Sequence, residues 1–184
     1  MGISDQQIGK KENERSDLSY FLDAYEWVTG EVLVELTTSE SPDFICARSN
    51  GEEIGVELVR VMRDPEEAQF DRIIDKKLEA DTQETLDRIF SLIEKKEQVR
   101  SKNYGLLANK TILVLQLCDC SLWSLIPFLI DDVREDFSHY GFLEIWLGDY
   151  TEIEAYRDIE LFGLFPDQWW GYHQRQNPNR KPYG

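Results

Sequence analysis

A continuous apolar run in the second half of the chain constrains the fold more than any other feature. The run is TILVLQL, Thr111 to Leu117, and polar residues bound it on both sides. Strands that are buried on both faces have such runs, and they occur in sheets that carry helices on each face. The chain has 184 residues, which is enough to build the covering layers within one domain. The run therefore predicts an α/β protein.

Helices are predicted where apolar residues recur at helical spacing. This pattern covers residues 10–28 and 122–141, and it also covers a long segment from Pro65 to Arg100. A single straight helix over the long segment would reach roughly 50 Å. We therefore expect a bend or break near residues 80–82.

Strands are predicted from alternating or continuous apolar stretches, and Asn50-Gly51 predicts the turn of a hairpin. Besides the run at 111–117, the predicted strands cover residues 31–36, 43–48, 54–61, 142–150 and 158–165. The order α-β-β-β-α-β-α-β-β predicts a mixed sheet with helices on both faces. We expect one domain over residues 1–184, with flexible ends at 1–9 and 172–184.

The charge balance limits the partners that the chain can bind. The formal net charge is −16, and residues 119–160 hold eleven acids and only two bases. The tail from Gln168 to Gly184 has three bases and no acids. A nucleic-acid-binding protein usually presents a basic patch. DNA would therefore have to use a local basic strip, whereas the acidic surface suits a basic protein partner.

The sequence favours a cytoplasmic protein that does not associate with a membrane. No apolar run approaches the roughly 20 residues that a spanning helix needs, and the first residues lack the apolar core of a signal peptide. Three cysteines and two histidines form no zinc-binding pattern, and the odd cysteine count fits reduced thiols. Asp119, between Cys118 and Cys120, is expected to cap the helix that follows it.

Two carboxylates in the predicted hairpin point to a possible site. Asp43 opens one strand, and Glu57 lies in the middle of the next on the same face as Val59 and Val61. A glutamate among apolar side chains needs a partner. Two carboxylates that converge raise each other's pKa unless a cation lies between them, and Mg²⁺ suits such oxygen ligands. The alternatives are a strand-start cap for Asp43 and an outward-facing position for Glu57.

Asp43 after Pro42, the two-strand turn and the segment GVELV together resemble the motif of the PD-(D/E)xK nucleases, also called restriction-endonuclease-like. The motif covers residues 42–59. The core of that family is a helix, a three-stranded meander, a helix and another strand, and residues 10–118 are predicted in the same order. The resemblance implies Mg²⁺-dependent hydrolysis of DNA phosphodiester bonds.

The resemblance also implies which residues hold the metal ion. Asp43, Glu57 and the backbone carbonyl of Leu58 would bind Mg²⁺ or Mn²⁺. A further acid on the first helix often joins them, with Glu14 as the first choice and Glu12 as the second. For both helix residues the alternative is a solvated helix face.

The chain departs from the family pattern at one important position. Val59 stands where the family has a lysine that positions or deprotonates the attacking water, and an aliphatic side chain does neither. Some members of the family carry this lysine on the next helix. We take Lys76 as the catalytic candidate, with Lys77, Lys95 and Lys96 as alternatives. A solvated helix face is the other interpretation of these lysines.

Two functions of different classes follow from these observations. A nuclease predicts that Asp43, Glu57 and a lysine ammonium converge in a concave pocket beside a positive strip. A catalytically inactive relative would instead bind a basic protein partner, for example a toxin or a nuclease subunit. It predicts no converging lysine and a broad acidic surface over residues 119–160.

Overall fold

A seven-stranded mixed sheet forms the centre of the molecule. The computed structural model describes residues 5–64 and 80–174, and its strands lie across the sheet in chain order. The first three form an antiparallel meander, the next two run parallel to the third, and the last two are antiparallel to their neighbours. The strands are β1 (Leu33–Thr38), β2 (Phe44–Arg48), β3 (Glu53–Val61), β4 (Thr111–Leu117), β5 (Glu144–Asp149), β6 (Leu161–Phe165) and β7 (Gly171–His173).

Helices lie on both faces of this sheet. One face packs against the first helix, and the other packs against the second helix and the short helical segments after β4. None of the helices in residues 5–64 and 80–174 is both long and apolar enough to cross a membrane. The helices of the described residues are α1 (Asp5–Thr29), α2 (Thr82–Asn103), α3 (Leu122–Leu125), α4 (Asp131–Arg134) and α5 (Ile153–Tyr156).

The apolar run that predicted the fold is the centre of the sheet. Every residue of β4 is buried. Ile112 and Val114 pack in the core beneath α1, whereas Leu113 and Leu115 pack in the core beneath α2. The predicted α/β class with a mixed sheet between helices is therefore confirmed.

The second helix begins where the sequence predicted an interruption. Asp81 is its N-cap, and its carboxylate accepts a hydrogen bond from the backbone N–H of Glu84 at 3.0 Å. This cap satisfies one of the unpaired donors in the first turn. Residues 65–79, which were predicted as the first half of the long helix, lie outside the described residues.

The prediction of one helix over residues 122–141 is wrong. This segment forms α3 and α4, with 3₁₀ turns at Ile126–Phe128 and Glu135–His139. Pro127 lacks a backbone N–H, and its ring clashes with the preceding turn of an α-helix. The apolar spacing survives because the short turns still bury Leu122, Leu125 and Phe137 against the sheet.

The segment after β6 contains a short strand that was not predicted. No strand was predicted after residue 165, but β7 pairs with β6 through Leu161 and His173. A three-residue strand is too short to show periodicity.

Asp119 does not cap α3, because Ser121 is its N-cap. Asp119 instead accepts hydrogen bonds from the backbone and side chain of Arg63, at 2.9 and 3.0 Å.

Candidate functional site

The β2–β3 hairpin brings the two predicted carboxylates together. Phe44 pairs with Val56, so Asp43 and Glu57 follow as the next positions of the ladder. The backbone N–H of Asp43 donates to Oε2 of Glu57 at 3.1 Å. In return, the backbone N–H of Leu58 donates to Oδ2 of Asp43 at 2.9 Å. These reciprocal bonds fix both carboxylates beside one another.

Gly55 allows the loop that carries Asp43 to lie close to β3. A Cβ atom added to this glycine would lie 2.5 Å from Cγ of Pro42 and 2.5 Å from Oγ1 of Thr111. Both distances are far below an ordinary contact, so a larger residue would displace the loop or the neighbouring strand. The glycine of the GVELV segment is thus part of the geometry of the site.

The electrostatics of the pair are unbalanced. Glu57 is 3% exposed, so little water screens its charge. Burial, followed by repulsion from Glu57, raises the pKa of Asp43 from 3.8 to about 6. The N–H of Leu58 and the ammonium of Lys96 lower this pKa, whereas the charge of Glu14 adds to the increase. A cation placed at the pair would relieve this repulsion.

Among the lysines that the structure describes, Lys96 reaches the site. It projects from α2, and its ammonium forms an ion pair with Oε1 of Glu57. Lys95, the neighbouring candidate, is exposed. Lys76 and Lys77 lie outside the described residues, so the choice of Lys76 stays a prediction. The structure thus brings Asp43, Glu57 and Lys96 together around the start of β2 and the middle of β3.

The predicted acid on the first helix lies nearby but not in contact. Glu14 is half-buried on α1, and its charge acts on Asp43 without a direct hydrogen bond. Its carboxylate lies 3.8 Å from the ammonium of Lys10. Glu12, the second choice, is exposed. Of these two acids, Glu14 is therefore the one whose charge acts on the site.

Tyr104 is a neighbour of the site that sequence reasoning missed. It follows α2 as the C-cap residue and is 4% exposed. Its hydroxyl lies near Glu57 but makes no hydrogen bond of normal geometry with any described residue. Burial, with the charge of Glu57, raises the pKa of Tyr104. A tyrosine at a helix end carries no sequence signal that would distinguish it from a core residue.

The donor chemistry of the pair fits a hard divalent cation. The carboxylate oxygens are the ligands that Mg²⁺ prefers, and Oδ1 of Asp43 makes no hydrogen bond with a described residue. The number of protein ligands is small, since residues 5–64 and 80–174 contain no group of three or more His, Cys, Asp or Glu side chains arranged to hold a metal ion. Water would have to complete the coordination, which is usual for Mg²⁺. The role of the Leu58 carbonyl stays a prediction.

No family model, curated protein or solved structure matches the chain.

Proposed function

We propose that the chain is a metal-dependent nuclease that hydrolyses phosphodiester bonds of DNA. The observation that carries the proposal is the convergence of Asp43, Glu57 and Lys96. The missing lysine at Val59 was the main departure from the PD-(D/E)xK pattern, and Lys96 supplies an ammonium group to the same glutamate from the next helix. The helix, meander, helix and strand of residues 5–117 also follow the order that this resemblance implies.

Asp43 and Glu57 would hold the metal ion. Mg²⁺ bound by carboxylates lowers the pKa of a coordinated water and offsets the negative charge of a phosphoryl group. The residues of the chain then have separate tasks. Asp43 contributes its unbonded Oδ1, and the N–H of Leu58 orients this carboxylate by holding Oδ2.

Lys96 would act on the substrate rather than on the metal ion. Water attacks the phosphorus atom and releases a proton to solvent, one ester P–O bond breaks, and the leaving oxygen takes a proton from solvent. The negative charge on the non-bridging oxygens increases along this path, and an ammonium group stabilises it. Lys96 is 27% exposed, so its ammonium can contact a ligand from solvent while it pairs with Glu57.

Calorimetric titration of Mg²⁺ and Mn²⁺ tests the metal site. We expect saturable binding to the wild type and its loss in the Asp43→Ala, Glu57→Ala double variant. The matched control is Glu40→Ala with Glu53→Ala, which removes the same charge from exposed positions of the same region. Equal binding by both double variants would contradict the site.

A plasmid-cleavage assay tests the activity. Wild-type protein with Mg²⁺ or Mn²⁺ should nick or linearise the plasmid, and Lys96→Met should lower the rate by about 10²-fold or more, as expected for loss of charge stabilisation. Lys95→Met removes the same charge from an exposed position of α2 and should cleave normally. Cleavage that survives Lys96→Met would remove this lysine from the mechanism.

A second function is favoured by a different surface. Asp131, Asp132, Glu135 and Asp136 are all exposed on the segment after β4, and they contribute to the net charge of −16. Such a surface suits a basic protein partner of a catalytically inactive chain. In a pull-down experiment, neutralising these four acids should abolish capture of that partner, whereas Asp43→Ala with Glu57→Ala should retain it. The opposite pattern would assign binding to the carboxylate pair.

A further inference from the structure

A polar groove lies on the α1 face of the sheet, whereas Glu57 meets Lys96 of α2 on the opposite face. The groove has a volume of about 470 Å³ and lies between the first half of α1 and the carboxyl-terminal parts of β3 and β4. Ligand sites in open α/β sheets form outside the carboxyl ends of the strands. The polar lining consists of Lys10, Asn13, Glu14, Asp17, Arg60 and Gln116.

The groove exists because the residue type changes along this face of the strands. Val56 and Val114 are buried against α1, but the later positions of the same face are occupied by Arg60 and Gln116. Apolar packing therefore ends there. Gln116 is only 3% exposed, although its side chain is polar. A buried amide at this position requires hydrogen-bond partners.

One acid of α1 organises the floor of the groove. Nε2 of Gln116 donates to Oδ2 of Asp17 at 3.0 Å. Nη2 of Arg60 lies 3.5 Å from the same oxygen. The guanidinium of Arg60 therefore offsets the charge of Asp17, and Asp17 holds the amide and the guanidinium close to one another. Side chains held in this way lose little entropy when they bind a ligand.

The groove approaches the candidate site at Asp43. Leu58 lines the groove, and its backbone N–H donates to Oδ2 of Asp43. Glu14 lines it as well and is close enough for its charge to act on Asp43. A ligand in the groove would thus lie close to Asp43, across the sheet from the Glu57–Lys96 ion pair.

The lining matches the chemistry of a nucleotide. Lys10 and Arg60 are 78% and 55% exposed at the rim, where a phosphate would share them with their ion-pair partners Glu14 and Asp17. Asn13 and Gln116 supply amide groups, which hydrogen-bond to the edges of nucleobases. The volume of about 470 Å³ falls within the usual range for a small-ligand site of about 300 to 1,000 Å³.

Charge favours one nucleotide over a long duplex. Duplex DNA carries one negative charge for about every 1.7 Å of axis, and its binding needs many cations. A chain of net charge −16 would repel such a ligand along most of its length. One unpaired nucleotide needs only the cations at the rim of the groove.

We propose that this groove binds one unpaired nucleotide of the substrate, close to Asp43. The substrate is then single-stranded DNA or an unpaired strand end. The position of the cleaved bond rests on the proposed function, whereas binding in the groove is measured separately.

Fluorescence anisotropy with Ca²⁺ in place of Mg²⁺ tests the proposal without hydrolysis. The probe is a fluorescein-labelled single strand of roughly ten nucleotides, a length typical of single-strand sites, and the competitor is the blunt duplex of the same sequence. The wild type should prefer the single strand by about tenfold or more. Lys10→Gln with Arg60→Gln should weaken binding by about tenfold and reduce the salt slope by about 0.7 for each lost phosphate contact.

Two further variants separate the groove from general charge effects. Gln116→Leu removes the amide, and leucine has a similar size and suits the apolar strand. This variant should bind the single strand more weakly, with an unchanged salt slope. Lys102→Gln removes an exposed charge from α2, on the opposite face of the sheet, and should bind like the wild type. Circular dichroism checks that each variant is folded.

The outcomes of the binding and cleavage assays are independent. Equal affinity for duplex and single strand, an absence of binding, or equal losses in Lys102→Gln and the groove variants would each overturn the groove assignment. Loss of single-strand binding in the groove variants alone supports it, even if the plasmid assay shows no cleavage. Cleavage that needs Asp43 and Glu57 but not the groove would keep the proposed function and refute this inference.

Discussion

Two buried acidic centres in the same sheet differ in how their charge is compensated. One is Glu144 at the start of β5, which is 6% exposed. Its Oε1 accepts a hydrogen bond from the hydroxyl of Tyr25 at 3.0 Å, and its Oε2 accepts one from Nε1 of Trp146 at 2.7 Å. Nη2 of Arg48 lies 3.7 Å away. Glu144 thus has two neutral donors and a cation, and it shares Arg48 and the Tyr25 hydroxyl with the more exposed Glu31.

The other centre is the Asp43–Glu57 pair, which has two acids and one ammonium group. Burial raises the pKa of Glu144 as well, but its donors and Arg48 oppose the increase. At the pair, the second carboxylate adds to the increase at Asp43 instead. Repulsion between two acids costs folding free energy, so the pair is a candidate for function, whereas the Glu144 centre has the chemistry of a structural network.

Removal of Glu144 should have the largest effect on stability. In Glu144→Ala, the Tyr25 hydroxyl and the Trp146 indole lose their acceptor, and Arg48 loses a buried partner. We expect the free energy of unfolding to decrease by about 3 to 4 kcal/mol, because breaking a buried charged network leaves unsatisfied groups. Urea denaturation measures the change, with the exposed Glu135→Ala as the control. A loss of stability no larger than that of the control would show that the Glu144 network does not stabilise the fold.

The pH dependence of stability should report the raised pKa of Asp43. The folded pKa of Asp43 is about 6 against 3.8 for an ordinary aspartate. Between these values the folded chain retains a proton that the unfolded chain has released. Stability should therefore decrease as pH rises from about 4 to 6, by on the order of 2 to 3 kcal/mol, since each pKa unit corresponds to about 1.4 kcal/mol.

Asp43→Asn provides the control for this pH effect. It removes the carboxyl group of Asp43, so the urea midpoints should fall less steeply across that range. The slope that is left includes the contribution of Glu144, whose pKa burial also raises. If the proposed metal site is correct, saturating Mg²⁺ should flatten the wild-type profile too, because a bound cation stabilises the ionised carboxylates. A wild-type profile that rises with pH through this window would contradict the repulsion between the two acids.

Much of the fold was predictable because the signals are local. The run at β4, the alternation in β3 and the Asn50-Gly51 turn each depend on a few consecutive residues, and the structure has the expected elements there. The helix predicted over 122–141 was wrong because its apolar spacing is shared by several short turns. A proline in such a segment is a stronger signal than the spacing.

The site was predictable only in part, for a geometric reason. Asp43 and Glu57 belong to one hairpin, so their approach follows from the register of a short turn. Lys96 belongs to α2, and its position depends on how that helix lies across the sheet. Sequence patterns do not give this docking angle, so four lysines stood as alternatives and Lys76 was preferred. Tyr104 was missed because its burial also depends on that docking.

Removal of Lys96 should have an intermediate effect. Lys96→Met leaves Glu57, which is 3% exposed, without its ammonium partner. We expect a decrease of about 1 to 2 kcal/mol in the free energy of unfolding, less than for a fully buried pair because Lys96 is itself partly exposed. The matched control is Lys95→Met, at an exposed position of the same helix. Thermal denaturation that shows equal losses for both variants would refute the ion pair.

The smallest effects should come from two buried tyrosines, one at each centre. Tyr25→Phe removes the hydroxyl that donates to Glu144 at 3.0 Å, and we expect a loss of about 1 kcal/mol, the usual net value of a hydrogen bond. Tyr104→Phe removes a buried hydroxyl with no hydrogen bond of normal geometry among the described residues. Its loss should leave stability unchanged or raise it slightly, since burial of an unpaired hydroxyl is unfavourable. Urea denaturation of both variants in one buffer measures the difference. A larger loss for Tyr104→Phe than for Tyr25→Phe would mean that the hydroxyl beside Glu57 is a bonded part of the carboxylate pair, and the contrast between the two centres would disappear.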